Sequence, residues 1–95
     1  MEFPEKEVII KYFENLNPNI IPCKNGDCPL ESAISNIYGG AVVIGTRSWS
    51  CYSKDVSCEP IPEYARKAVN SFDNEITLYW SELTTAEILN ILKKV

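Results

Sequence analysis

The chain contains no histidine. That absence removes Ser-His-Asp and Cys-His nucleophilic catalysis in their usual forms. It removes imidazole-ligated zinc, copper and haem, and the ordinary general base near neutral pH. Glycine is scarce, with four residues in all, and Gly39-Gly40 forms neither a G-x-G-x-x-G nor a P-loop pattern, so no phosphate cradle is expected. No run of about eighteen apolar residues occurs, which excludes a helical membrane span. The nine basic residues are scattered, against thirteen acidic ones and a net charge of −4; nucleic-acid binding, which asks for a basic stripe, is not expected. The first residues, Met1-Glu2-Phe3-Pro4-Glu5-Lys6-Glu7, are charged at once and lack a long apolar core. No secretory leader is therefore expected, and a cytoplasmic location is.

What is present fits one small domain. A chain of 95 residues, 45% of them apolar, holds a modest core and gains from a metal, a cluster or disulfides. Pro4 followed by acids reads as a helix start, with Val8, Ile9, Tyr12, Phe13 and Leu16 as one apolar stripe and Asn17-Pro18-Asn19 as the stop. Ile20-Ile21 reads as the end of a buried strand. Asn25-Gly26 is a turn signal, Asp27 an N-cap candidate, and Pro29 the first turn of a helix carrying Leu30, Ala33, Ile34, Ile37 and Tyr38. Gly39-Gly40 closes that helix.

Ala41-Val42-Val43-Ile44 has strand character and is expected to continue towards Cys51, with residues 52–59 as a polar loop and Pro60 and Pro62 bracketing Ile61. Ser48, Ser50 and Ser53 alternate around Trp49 and Cys51, as at a strand edge. Residues 63–69 favour a helix by propensity, whereas the hairpin-like 70–74 stretch would make them a strand. Residues 75–80 alternate and are rich in β-formers, and read as a strand. Thr84 and Glu87 form a capping box for a last helix with Ile88, Leu92 and Val95 on one face. The Lys93-Lys94 pair suits the negative end of its dipole. The whole predicts an α/β domain over residues 1–95, a small mixed sheet flanked by helices. Residues 1–19 form an N-terminal helix and connection, and residues 20–95 the α/β unit.

The distinctive equipment is four cysteines in two pairs, Cys23-x4-Cys28 and Cys51-x6-Cys58. Three readings stand side by side. The thiols can be structural, free or in disulfides, and disulfides are rare in ordinary cytosol. They can form a four-thiolate zinc site, which the first pair suits and the wider second pair suits less. They can hold a [2Fe–2S] cluster, which needs four thiolates, two to each iron. A thiol–disulfide role for Cys28 at a helix N-terminus is a lesser option, since C-x-x-C is absent. The carboxylates near these loops, Asp27, Glu31, Asp55 and Glu59, read as caps and solvated charges.

Ile20-Ile21-Pro22-Cys23, then Cys28-Pro29-Leu30, then the strand from Ala41 to Cys51 with Cys58 beyond it, then Leu83-Thr84-Thr85-Ala86-Glu87-Ile88-Leu89, resemble in order the thioredoxin-like [2Fe–2S] ferredoxins and the corresponding small subunit of NADH dehydrogenases. The resemblance covers residues from about 20 to 95. Six residues separate Cys51 from Cys58 where the family has three, and no glycine follows Cys51. The resemblance implies a thioredoxin-like order of elements preceded by an extra N-terminal helix. It also implies a cluster held by Cys23, Cys28, Cys51 and Cys58, with Trp49 and Tyr52 shielding it and one-electron transfer to a protein redox partner as the function. The alternative is a non-catalytic small interaction protein, of inhibitor, immunity or viral accessory type, with structural cysteines or disulfides, a protein target, and zinc or no cofactor. Neither reading makes the chain an enzyme.

Overall fold

The fold is described by a computed structural model, which describes residues 2–24, 28–72 and 82–95. In chain order the elements are α1 (Lys6–Glu14), α2 (Pro29–Tyr38), β1 (Val42–Ile44), β2 (Ser48–Cys51), a 3-10 turn (Tyr52–Lys54), β3 (Val56–Pro60), α3 (Glu63–Asn70) and α4 (Thr85–Lys94). The chain is a small α/β domain with one hydrophobic core. Among the described residues the sheet has the order β1-β2-β3 with antiparallel pairing throughout, where the sequence suggested a mixed sheet. The strand expected at 75–80 lies outside the described residues, as does the end of the expected turn at 70–74.

The helices form where apolar periodicity placed them. Ile9 and Phe13 of α1, and Ile88 and Leu92 of α4, are fully buried at i, i+4 spacing, and α1 packs on both α4 and α2. Burying one such side chain stabilises the fold by about 1.5–3 kcal/mol. In α2, Leu30, Ala33 and Ile34 are buried. That helix ends at two glycines with φ of 76° and 87°, backbone that side chains with a Cβ rarely adopt. A Cβ on Gly40 would also stand 2.9 Å from Cβ of Ser53.

Four local readings change. Ile20-Ile21 is not a strand. An Asx turn at 17–19, with the Asn19 N–H donating to Asn17 Oδ1 at 2.9 Å, presents the carbonyls of Pro18 and Ile20 to α4. The Thr85 and Ala86 N–H groups donate to Ile20 O and Pro18 O at 2.9 and 3.2 Å, satisfying N-terminal helix donors that lack an intrahelical partner. The long strand towards Cys51 is instead a hairpin, because the Gly45 N–H donates to Ser48 O at 2.8 Å and folds the chain back. β2 is consequently the middle strand of the three rather than an edge. The polar loop 52–59 contains β3, which pairs with β2 through a bulge between Trp49 and Cys51. Cys58 sits there at φ 51°, and its N–H donates to Ser50 Oγ at 3.0 Å. Residues 63–70 are helical, so propensity prevails over the hairpin reading, with Ala65, Ala68 and Val69 buried.

The capping box of α4 is complete. Thr84 Oγ1 accepts from the Glu87 N–H, and the Glu87 carboxylate accepts from the Thr84 N–H at 2.9 Å. Replacing Thr84 by Ala is expected to cost about 1 kcal/mol of stability, measured by chemical denaturation, and Thr84→Ser to retain most of it.

A second expectation concerns alkaline pH. The Tyr64 hydroxyl donates to Pro4 O; burial, with the Glu7 carboxylate next in weight, raises its pKa well above the ordinary 10.0. A raised folded-state pKa contributes stability that is present below pH 10 and lost as pH climbs towards the folded value. The melting temperature is therefore expected to fall above pH 10, and Tyr64→Phe to flatten that fall.

Candidate functional site

Three of the four cysteines are buried and one is exposed. Cys23 is buried in the turn after residue 21, beside α1: burial, with Cys23 as second contributor, raises the pKa of Tyr12. Cys28 is buried and occupies the N-cap position of α2 with extended backbone, Pro29 following at N1. The expected cap, Asp27, lies outside the described residues, and the cap position belongs to Cys28. Cys51 ends β2, fully buried. Cys58 is exposed on β3, and both Cys51 and Cys58 carry free thiols.

Helix α2 determines how far apart these sulfurs stand. Cys51 Sγ lies 3.4 Å from Ser53 Oγ, and that hydroxyl donates to the carbonyl of Gly39, the C-cap of α2. Cys28 is at the other end of the same helix, whose ten residues span about 15 Å at 1.5 Å per residue. Thiolates sharing one metal, each about 2.3 Å from it, lie within about 5 Å of one another. Cys51 and Cys58 also diverge: Val56 opposes Cys51 in the sheet, and the bulge leaves Cys58 facing solvent while Cys51 faces the core. Among the described residues, no three cysteine, aspartate or glutamate side chains gather where a metal ion could be held. As placed, the cysteines do not form the common donor set that a [2Fe–2S] cluster or a four-thiolate zinc site requires, so no chemistry is derived through either.

The supporting roles shift accordingly. Trp49 is 2% exposed and belongs to the core, and Tyr52, 70% exposed, points to solvent; neither encloses a cluster. The Glu31 carboxylate accepts the Ile44 N–H at 2.8 Å, so it completes the hydrogen bonding of an outer strand. Asp55 closes the 3-10 turn in a left-handed conformation. These are structural tasks, and none places an acid and a base around a shared pocket.

A second constellation had no counterpart in the sequence reading. The N-terminal residues lie across the core. Phe3 meets Trp49 edge-to-face at 5.2 Å and Tyr64 at 6.0 Å. Tyr38 Oη donates to Glu2 O at 2.9 Å, and Tyr64 Oη to Pro4 O. Two phenols thus hold the carbonyls on either side of Phe3 while its ring covers Trp49. The sequence signal was slight: an aromatic residue before Pro4, and the apolar Pro60-Ile61-Pro62 step among polar neighbours.

No family model, curated protein or solved structure matches the chain. No helix among the described residues is long and apolar enough to cross a membrane.

Thiol reactivity follows from this placement, because modification needs an accessible thiolate. In native buffer Cys58 is expected to react with a chromogenic disulfide reagent within minutes, and Cys51 only on unfolding. Cys58→Ser removes the fast phase. Fast modification of Cys51 in the folded chain would contradict its burial on the inner face of β2.

Proposed function

We propose that this chain is a small, cytoplasmic, non-catalytic interaction protein whose cysteines serve the fold and whose target is another protein. One observation carries the reading: Cys28 and Cys51 stand near opposite ends of α2, a separation that favours structural cysteines over ligands of one shared centre. Three of the four cysteines are buried, and buried cysteine behaves as a small apolar side chain. Catalysis finds equally little support, since the chain has no histidine, and Glu31, Asp55 and Glu87 serve a strand, a turn and a helix cap. A free thiol exposed on β3 suits a reducing compartment. What the molecule offers a partner is surface, and the aromatic face around Phe3 and Trp49 is its most built part.

The test is elemental. Protein purified without oxygen is expected to be colourless, with iron, zinc and acid-labile sulfide all far below one equivalent, and to keep its melting temperature after treatment with a chelator. A brown protein retaining two irons and two sulfides per chain would overturn the proposal in favour of the electron carrier. One tightly held zinc would overturn it in favour of a structural metal site.

A further inference from the structure

Beside the Phe3–Trp49 contact lies a shallow groove of about 450 Å³. Its floor is apolar, made by Phe3, Trp49, Pro60 and Ile61, and its charged lining residues are Glu2 and Glu59. No lysine or arginine side chain lines it among the described residues. The acidic character extends beyond the lining. Glu2 acts electrostatically on Tyr38, and Glu7 and Glu5 act on Tyr64, whose ring touches Phe3. Two carboxylates, Glu2 and Glu59, therefore line the groove itself, and Glu5 and Glu7 lie near the tyrosine beside it.

Two lysines of the helices are engaged away from the groove lining. Lys6 Nζ donates to Val95 O at 3.2 Å, which ties it to the end of α4. Lys67 pairs with Glu63 along α3 at 3.6 Å. Arg47 meets the groove wall through its backbone, its carbonyl accepting the Ile61 N–H at 3.1 Å. Among the described residues the groove lining itself carries two carboxylates and no cation, and local charge of one sign selects and steers partners of opposite charge.

We propose that this groove binds a protein segment that inserts one bulky apolar side chain over Phe3, Pro60 and Ile61, with Trp49 beneath them, and sets lysines or arginines on either side of it against Glu2 and Glu59. The apolar contact supplies the anchor, since recognition energy concentrates in a few desolvated side chains. The carboxylates supply the choice of partner. The groove is also partly made in advance: the two phenols that hold the Glu2 and Pro4 carbonyls fix the backbone on both sides of Phe3, which lowers the ordering cost of binding. This proposal rests on the interaction-protein reading and gives that reading a site and a partner chemistry.

The test uses the full chain and three capped synthetic heptapeptides. The first has a central leucine between two pairs of arginines, the second replaces the arginines by glutamates, and the third replaces the leucine by alanine. Binding is followed by amide and indole chemical shifts. The first peptide is expected to move the signals of Glu2, Phe3, Trp49 and Ile61, with affinity falling as salt is added. The other two peptides are expected to bind at least tenfold more weakly. The double variant Glu2→Lys with Glu59→Lys, checked for an unchanged fold by circular dichroism, is expected to lose the first peptide at least tenfold and to gain the glutamate peptide.

The proposal is overturned if no peptide shifts the groove signals, if the shifts map to another face, or if arginine and glutamate peptides bind alike. It is also overturned if the groove signals move on dilution of the chain alone, which would assign the groove to a second copy. A colourless, metal-free chain indifferent to all three peptides ends this proposal and leaves the interaction-protein reading standing. A chain holding iron ends that reading whatever the peptides do.

Discussion

Helix α2 acts as a spacer, and most of what this protein can and cannot do follows from it. Its N-cap is Cys28 and its C-cap is Gly39, with Cys51 reached from the latter through the Ser53 hydroxyl. An α-helix cannot be compressed, because its rise is set by the backbone hydrogen bonds. Groups at its two ends are held apart by its length. The buried residues Leu30, Ala33 and Ile34 fix the helix in the core, so the separation belongs to the fold. Cysteines that look like two halves of one site in the sequence become separate core and surface residues in space.

The same core determines the other face of the molecule. Trp49 alternates inward with Cys51 along β2, and its ring is covered by Phe3 from the N-terminal residues and flanked by Tyr38 from α2 at 6.3 Å. One large side chain thus joins the sheet, a helix and the chain's beginning. The tyrosines that hold this region are each used twice, as apolar contacts and as donors to backbone carbonyls, which is what a half-buried phenol needs to avoid an unsatisfied hydroxyl. The result is an aromatic cluster held from three parts of the chain, with Glu2 and Glu59 lining the groove beside it.

How much of this could be read from the residues depends on the range of the interaction involved. Helices α1, α2 and α4 were legible, because i, i+4 spacing, the proline at position 29, the glycines at 39 and 40 and the Thr84–Glu87 box are all local signals, whereas α3 stood open between helix and strand. The site was not. Two close cysteine pairs carry no information about the distance between the pairs, which is set by a helix packed lengthwise between them. Ile20-Ile21 looked like a strand because apolar pairs often are; it became a cap for α4 through contacts with residues more than sixty positions away. The hairpin at 45–48 was hidden because β1 is only three residues long and gives alternation no room to show. Phe3 was read only as part of a charged N-terminal stretch, since its partners Trp49 and Tyr64 are distant in sequence. The thioredoxin-like resemblance rested on the order of cysteines and elements, and order alone does not fix the distance between the two pairs.

The separation of the sulfurs is open to direct measurement. Anomalous diffraction at long wavelength from crystals of the reduced protein locates every sulfur atom without reference to the chain trace. The account predicts that the Cys28 and Cys51 peaks are separated by most of the length of α2, on the order of 10 Å or more, with Cys58 apart from both at the surface. Four sulfur peaks gathered around one centre, each within about 2.3 Å of a metal, would contradict it.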